Sequence, residues 1–305
     1  MEHIEILEVG PRDGFQSVKE YIPLETKKRI IDGLIAAGMH QIQITSFVSP
    51  KAIPQMRDAG DIVAYCLQNY PDTKFFVLVP NQRGAEAAFE SGITRISYVV
   101  SLSESHNRAN TRRSHEESFA EVSSLVRQHP EMNISLDLAT TFGCPFEGPK
   151  SAGDVVKFLK GYVDIGIATV NLCDTIGIAN PAQVRDTVAA VQDAFPSVTF
   201  QIHIHDTRNM GMVNTLAAIE QGIHTVQSTL GGLGGCPFAP GASGNLATED
   251  LAFMLSGMGY NLDIDIGKLL DLSRFQHAHI PGGQYSGHLF MIADLQEQRG
   301  ESHDG

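Results

Sequence analysis

The residues best suited to chemistry fall into four short segments. In QIHIHDT, His203 and His205 are two apart, so in extended backbone both imidazoles face one side. In GPRDGFQ, Arg12 and Asp13 place a guanidinium beside a carboxylate. Two imidazoles joined by the Asp13 carboxylate form a divalent-metal site of a type open to Mn²⁺ and Zn²⁺ alike, so residue type alone does not choose the ion. The plainer alternative for the histidine pair is two satisfied polar groups at a strand end. The third segment, GGLGGCPFAPGASGN, holds Gly231, Gly232, Gly234, Gly235, Gly241 and Gly244 around a single thiol, Cys236. Such a loop suits closure over a substrate, with Cys236 as acid/base or nucleophile; the alternative is an incidental loop cysteine. Asn245 ends the loop, either as a helix N-cap or as an amide-oxygen ligand. In the fourth segment, NLCDTIGIANP, Asp174 is an active-site carboxylate or a helix-start signal.

These segments need elements that bring them together. Apolar, β-branched runs predict strands over 4–9, 41–46, 74–79, 94–100, 133–140, 169–173, 198–203 and 225–230. Apolar positions at helical spacing between them predict helices over 24–37, 61–67, 83–90, 116–127, 152–163, 181–194, 212–221 and 246–258. Eight strand–helix repeats without a linker or composition shift predict one α/β domain, a (β/α)₈ TIM barrel over 1–260; a doubly wound open sheet is the alternative. In such a barrel the active site forms at the carboxyl ends of the strands, where all four segments lie. Residues 261–305 are expected to form a C-terminal helical extension packed on the barrel, with helices over 266–275 and near 291–298 and a frayed tail.

Composition narrows the partners. With 42% hydrophobic and 19% charged residues among 305, the chain is neither collagen-like, coiled-coil nor disordered. A net charge of −13 disfavours nucleic acid and anionic membrane, but not a phosphorylated small molecule held by a local basic cluster. Arg108, Arg112 and Arg113 in ESHNRANTRR, and Lys51, are candidates for that cluster; a solvated loop is the alternative. Cys66, Cys144, Cys173 and Cys236 show no CxxC pairing and are expected as reduced thiols, with Cys66 in the core and Cys144 structural. MEHIEILEVG lacks the features of a targeting signal, and no apolar run reaches roughly 18 residues, so a cytoplasmic location without a membrane partner is expected.

The stretches EVGPRDGFQ, ITSFVSPKAIPQM, LCDTIGIANP, IHIHDT and GGLGGCPFAPGASGNLATED resemble the 3-hydroxy-3-methylglutaryl-CoA lyase family, within the wider metal-dependent lyase and Claisen-condensation barrels. The resemblance runs from about Ile4 to Met258. The glycine-rich cysteine loop is specific to the lyase branch, and the length leaves no room for the regulatory domain of the related synthases. The resemblance implies Mg²⁺ or Mn²⁺ on Asp13, His203, His205 and Asn245. It implies that Arg12 stabilises a thioester enolate, that Asp174 and His203 transfer protons and that Cys236 is the catalytic loop cysteine. The implied activity is retro-Claisen cleavage of an acyl-CoA to acetyl-CoA and acetoacetate, with Arg12, Gln43, Thr45 and Lys51 toward the substrate; a homodimer is a fold-level expectation. One position departs from the family. Where its members carry a glutamate two residues before the Thr of TSFVSP, this chain has Gln43, which keeps the shape but removes a charge. A shifted substrate such as citramalyl-CoA, a slow lyase and a non-catalytic paralogue are the readings this leaves. An aldolase acting on a small hydroxy-oxo acid would use a similar barrel but leaves the cysteine loop unexplained.

Overall fold

The structure, a computed structural model, describes residues 2–235 and 244–292. Eight parallel strands close on themselves: β1 (Glu5–Glu8), β2 (Gln41–Ser46), β3 (Lys74–Val79), β4 (Arg95–Ser101), β5 (Asn133–Ala139), β8 (Thr169–Asp174), β9 (Thr199–Ile204) and β10 (Thr225–Ser228). The short strands β6 (Gly143–Cys144) and β7 (Gly148–Pro149) form a separate hairpin after β5. Closure is made by β1, whose Glu5 to Glu8 pair with Thr225 to Ser228 on one side, while Glu8 pairs with Ile42 on the other. That pairing excludes the open sheet and establishes the (β/α)₈ barrel. Parallel strands are covered on both faces, which explains why their sequences read as near-continuous apolar runs.

Helices α1 (Leu24–Ala36), α2 (Ala59–Asn69) and α3 (Gln82–Glu90) connect the first four strands. Then come α4 (Glu104–Thr111), α5 (His115–Gln128), α6 (Ala152–Asp164), α7 (Pro181–Ala194), α8 (Gly211–Glu220) and α9 (Thr248–Gly257). Local chemistry starts several of them. Ser114 and Glu117 form a reciprocal capping box at α5, as Ser151 and Asp154 do at α6, and Asn81 and Asn180 cap α3 and α7. Helix α10 (Ile266–His279) runs four residues beyond its expected end and lies on α1, with Leu272 seated where Gly33 has no side chain; residues 289–292 are helical again. Residues 293–298 of the last expected helix lie outside the described residues.

The structure departs from the sequence expectation in two informative places. Residues expected as a loop after the fourth strand form α4, which has no apolar stripe and is held by the Ser103 cap and a Glu104–Arg108 ion pair at 2.8 Å. The eighth strand stops at Ser228, because the next turn is drawn toward buried carboxylates. The Leu230 N–H donates to Glu8 Oε1 at 3.0 Å and the Gly231 N–H to Glu249 Oε2 at 2.8 Å. Cys66, Cys144 and Cys173 are free and buried, and burial pushes the Cys66 thiol up to about 12. No helix among the described residues is long and apolar enough to cross a membrane.

Candidate active site

At the carboxyl end of β1 the chain makes a single π-helical turn over Gly10–Gly14, carrying Arg12 and Asp13. The Glu8 carboxylate pins this turn by accepting the Gly10 N–H at 2.7 Å. A Cβ at position 10 would lie 2.5 Å from that same oxygen, so the close approach requires glycine. Arg12 and Asp13 are both buried, with the guanidinium in a short ion pair to the Asp13 carboxylate.

His203 and His205 meet Asp13 across the barrel, each with Nε2 3.9 Å from Asp13 Oδ2. One donor atom from each of the three lies within 4.8 Å of the others, and all three side chains are buried. Burial opposes ionisation of Asp13, but Arg12 and the two imidazoles outweigh it and hold its carboxyl well below the usual range. Burial lowers His203 to about 3, so its imidazole is neutral, the form that ligates a metal. Its Nδ1 faces Gln227 Oε1 at 3.1 Å, a contact that works only with Nδ1 as donor and leaves Nε2 free toward Asp13. Asn245 completes the group, its Nδ2 donating to Asp13 Oδ2 at 2.7 Å. Its Oδ1 is buried with no partner among the described residues, an orphaned acceptor beside a carboxylate. Two imidazoles, a carboxylate and an unsatisfied amide oxygen fit a divalent cation.

This cluster lies in the wall of a cavity of about 1130 Å³ at the carboxyl ends of the strands. Arg12 lines it too, with Nε donating to Gln43 Oε1 in a short hydrogen bond. Gln43 itself is fully buried behind Arg12 and passes its own Nε2–H to Ser97 Oγ at 2.9 Å. Lys51 and Arg112 stand on the cavity rim without a carboxylate partner among the described residues. Arg113 is held by Glu121 at 2.7 Å and Arg108 by Glu104.

Other expected site residues sit elsewhere. Thr45 follows a register shift in β2 and turns its hydroxyl to Met56 Sδ, away from the cavity wall. Asp174 ends β8 with its two oxygens accepting the Ile178 and Ala179 N–H groups, both at 3.0 Å. Asp174 thus holds the turn ahead of α7, whose cap is Asn180; it lies close enough to feel His205, and burial raises its carboxyl. Cys236 lies outside the described residues; Gly235, immediately before it, lines the cavity.

Among the polar residues of the cavity wall that sequence reasoning missed are Asp137, Asn171 and Gln227, each inside a barrel strand. Asp137 and Asn171 are register partners on β5 and β8, and Asn171 Nδ2 donates to Asp137 Oδ1 at 3.1 Å. The available signal was a polar side chain inside a buried parallel strand, where both faces are normally apolar.

The HMGL-like family model matches residues 3–275. Hydroxymethylglutaryl-CoA lyase of Mus musculus, a mitochondrial protein, is 40% identical over 276 residues, covering 90% of this chain and 85% of its own. The HMG-CoA lyase structure from Bacillus subtilis superposes with a TM-score of 0.91 at 37% identity, covering 96% of this chain and 99% of that one. An HMG-CoA lyase from Acinetobacter baumannii, in complex with coenzyme A and 3-methylmalate, gives 0.89 at 37% identity over 99% and 97%.

Proposed function

The chain belongs to the HMGL-like family, and from that premise we propose a divalent-metal-dependent acyl-CoA lyase. Its reaction is retro-Claisen cleavage of 3-hydroxy-3-methylglutaryl-CoA to acetyl-CoA and acetoacetate. The observation that carries this reading is the Asp13, His203 and His205 cluster in the cavity wall, with Arg12 beside it.

Asp13, His203, His205 and Asn245 would hold the ion, with Mg²⁺ or Mn²⁺ as candidates. A bound divalent cation supplies Lewis acidity that lowers the pKa of a substrate hydroxyl. Loss of that proton lets the adjacent carbon–carbon bond break, giving a ketone and a thioester enolate. Arg12 is fixed by Asp13 and Gln43 before substrate arrives, so its guanidinium meets the enolate charge without reorganising. Cys236, next in sequence after the cavity-lining Gly235, is assigned return of a proton to the enolate carbon. Lys51 and Arg112 on the rim are assigned to the CoA phosphates. Asp174 is assigned to holding the turn behind His205.

A related 3-hydroxyacyl-CoA such as citramalyl-CoA is the second reading, favoured by the neutral Gln43 and the extra carboxylate of Asp137 in the cavity wall. The test is a panel of 3-hydroxyacyl-CoA esters assayed for acetyl-CoA release after chelation and after adding back Mg²⁺ or Mn²⁺. Metal-restored release from one ester identifies the substrate. Release that survives chelation, or none from any ester, refutes the reading.

A further inference from the structure

We infer that Asp137 is the positioning residue for Arg12: its carboxylate is the remote counter-charge for the guanidinium, linked to it through Gln43 and Ser97. The inference rests on the acyl-CoA lyase reading above and adds a residue to it.

The reasoning starts from an unmet electrostatic need. Arg12 is a buried cation whose adjacent carboxylate, Asp13, also faces two imidazoles and would be claimed by a bound ion. Its Nε donates to the neutral amide oxygen of Gln43. A buried guanidinium needs a compensating anion within a low-dielectric surrounding. Among the cavity-lining carboxylates of the described residues, Asp137 and Asp13 are the buried ones, and the charges of Asp137 and Arg12 attract each other.

The hydrogen bonds connecting them run in one direction. Arg12 Nε donates to Gln43 Oε1 and Gln43 Nε2 donates to Ser97 Oγ at 2.9 Å; Asp137 stands next in line, where burial raises its carboxyl while the Arg12 charge and the Ser97 hydroxyl favour its ionised form. A serine oxygen that accepts from an amide has its own proton left to give, and a carboxylate can only accept it. Each dipole in the series therefore points its positive end toward the anion, an arrangement in which successive bonds strengthen one another. Asn171 Nδ2 closes the far side of Asp137 at 3.1 Å. Gln43 and Ser97 are shut off from solvent, and Asp137 and Asn171 are buried although they face the cavity. The carboxylate has thus been moved from contact with Arg12 to the end of a two-residue relay.

The experiment uses Asp137→Asn, Gln43→Glu and the double variant of the full chain. Asp137→Asn is expected to lower kcat for ester cleavage about 100-fold while KM changes less than about threefold. Gln43→Glu alone crowds two carboxylates around Ser97 and is expected to lower turnover as well. Placed on Asp137→Asn, the same change returns the charge beside Arg12 and should restore turnover by about tenfold or more. Full activity of Asp137→Asn, a gain from Gln43→Glu alone, or no rescue in the double variant would overturn the inference. If Asp137→Asn does not fold, the direction of the Gln43→Glu effect decides alone. If the protein cleaves none of the esters, urea unfolding of the same cycle decides. Gln43→Glu then raises the unfolding constant about tenfold in the parent and little on Asp137→Asn; equal effects in both backgrounds overturn the pairing.

Discussion

Replacing Glu8 by glutamine is expected to stabilise the protein at pH 8 and to weaken it slightly at pH 4. Glu8 is wholly buried beneath the turn that carries Arg12 and Asp13, and burial raises its carboxyl from 4.5 to about 7 against the three donors it accepts. A group raised in the folded state binds its proton there but has lost it in the unfolded chain across that interval. Its contribution to stability is therefore full below pH 4.5 and lost as pH rises toward 7, with a slope of about 1.4 kcal/mol per pH unit. The whole interval is worth about 3 kcal/mol, which the parent forfeits above pH 7 and a neutral glutamine does not. Glutamine also fits the partners. Its oxygen can accept from Gly10 and Leu230 as Oε1 does now, and its amide can donate to Thr248 Oγ1. Thr248 then turns its own proton to Ser228 Oγ, 2.7 Å away, a contact in which either hydroxyl can donate. One amide hydrogen is left unpaired, at about 1 kcal/mol. The net expectation is a gain of about 2 kcal/mol at pH 8 and a loss of about 1 at pH 4, so the difference changes sign. Urea unfolding of both proteins at pH 4, 6 and 8 measures it. A difference of one sign and constant size across that range would refute the reasoning, because only a protonation linked to folding makes it vary.

Other expectations follow from the same geometry. Mn²⁺ at about 100 times its dissociation constant should stabilise the parent by about 2.7 kcal/mol, and His205→Ala should abolish the accompanying rise in melting temperature; a shift retained by the variant would remove His205 from the ion. Gly33→Ala places a Cβ 2.4 Å from Leu272 Cδ1 and is expected to cost about 1–3 kcal/mol in urea unfolding, recovered in part by adding Leu272→Ala. Lys51→Glu and Arg112→Glu should each raise KM for the CoA ester about tenfold at low salt, with kcat little changed and the effect shrinking as salt is added; a kcat loss instead would place them at the chemistry.

The barrel was legible because each strand–helix repeat carries its own local signal, and eight such repeats without a linker leave few ways to bury them. What local patterning lacks is the influence of distant partners. The eighth strand ends early because Glu8 and Glu249, more than two hundred positions and some twenty positions away respectively, capture the backbone of Leu230 and Gly231. Helix α4 was invisible for the opposite reason: with only Ala109 apolar among ESHNRANT, it has no stripe to read and rests on its cap and ion pair.

The site divides along the same line. His203 and His205 declare themselves because a two-residue spacing in one strand sets their common face, and Asp13 joins them because its turn lies at the same end of the barrel. Asp137 and Asn171 are 34 positions apart and become partners only through the register of β5 against β8. Gln43 shows the consequence. As a lone residue its neutral side chain reads as a lost charge, and a weakened Arg12 follows from it. In the closed barrel its amide stands between Arg12 and Ser97, where a glutamine can accept from one and donate to the other, and a carboxylate can only accept. Glutamate at that position would leave the Ser97 hydroxyl facing two carboxylates with one proton to share. The substitution that looks like damage in one strand is therefore the residue that Ser97 and Asp137 require across three others.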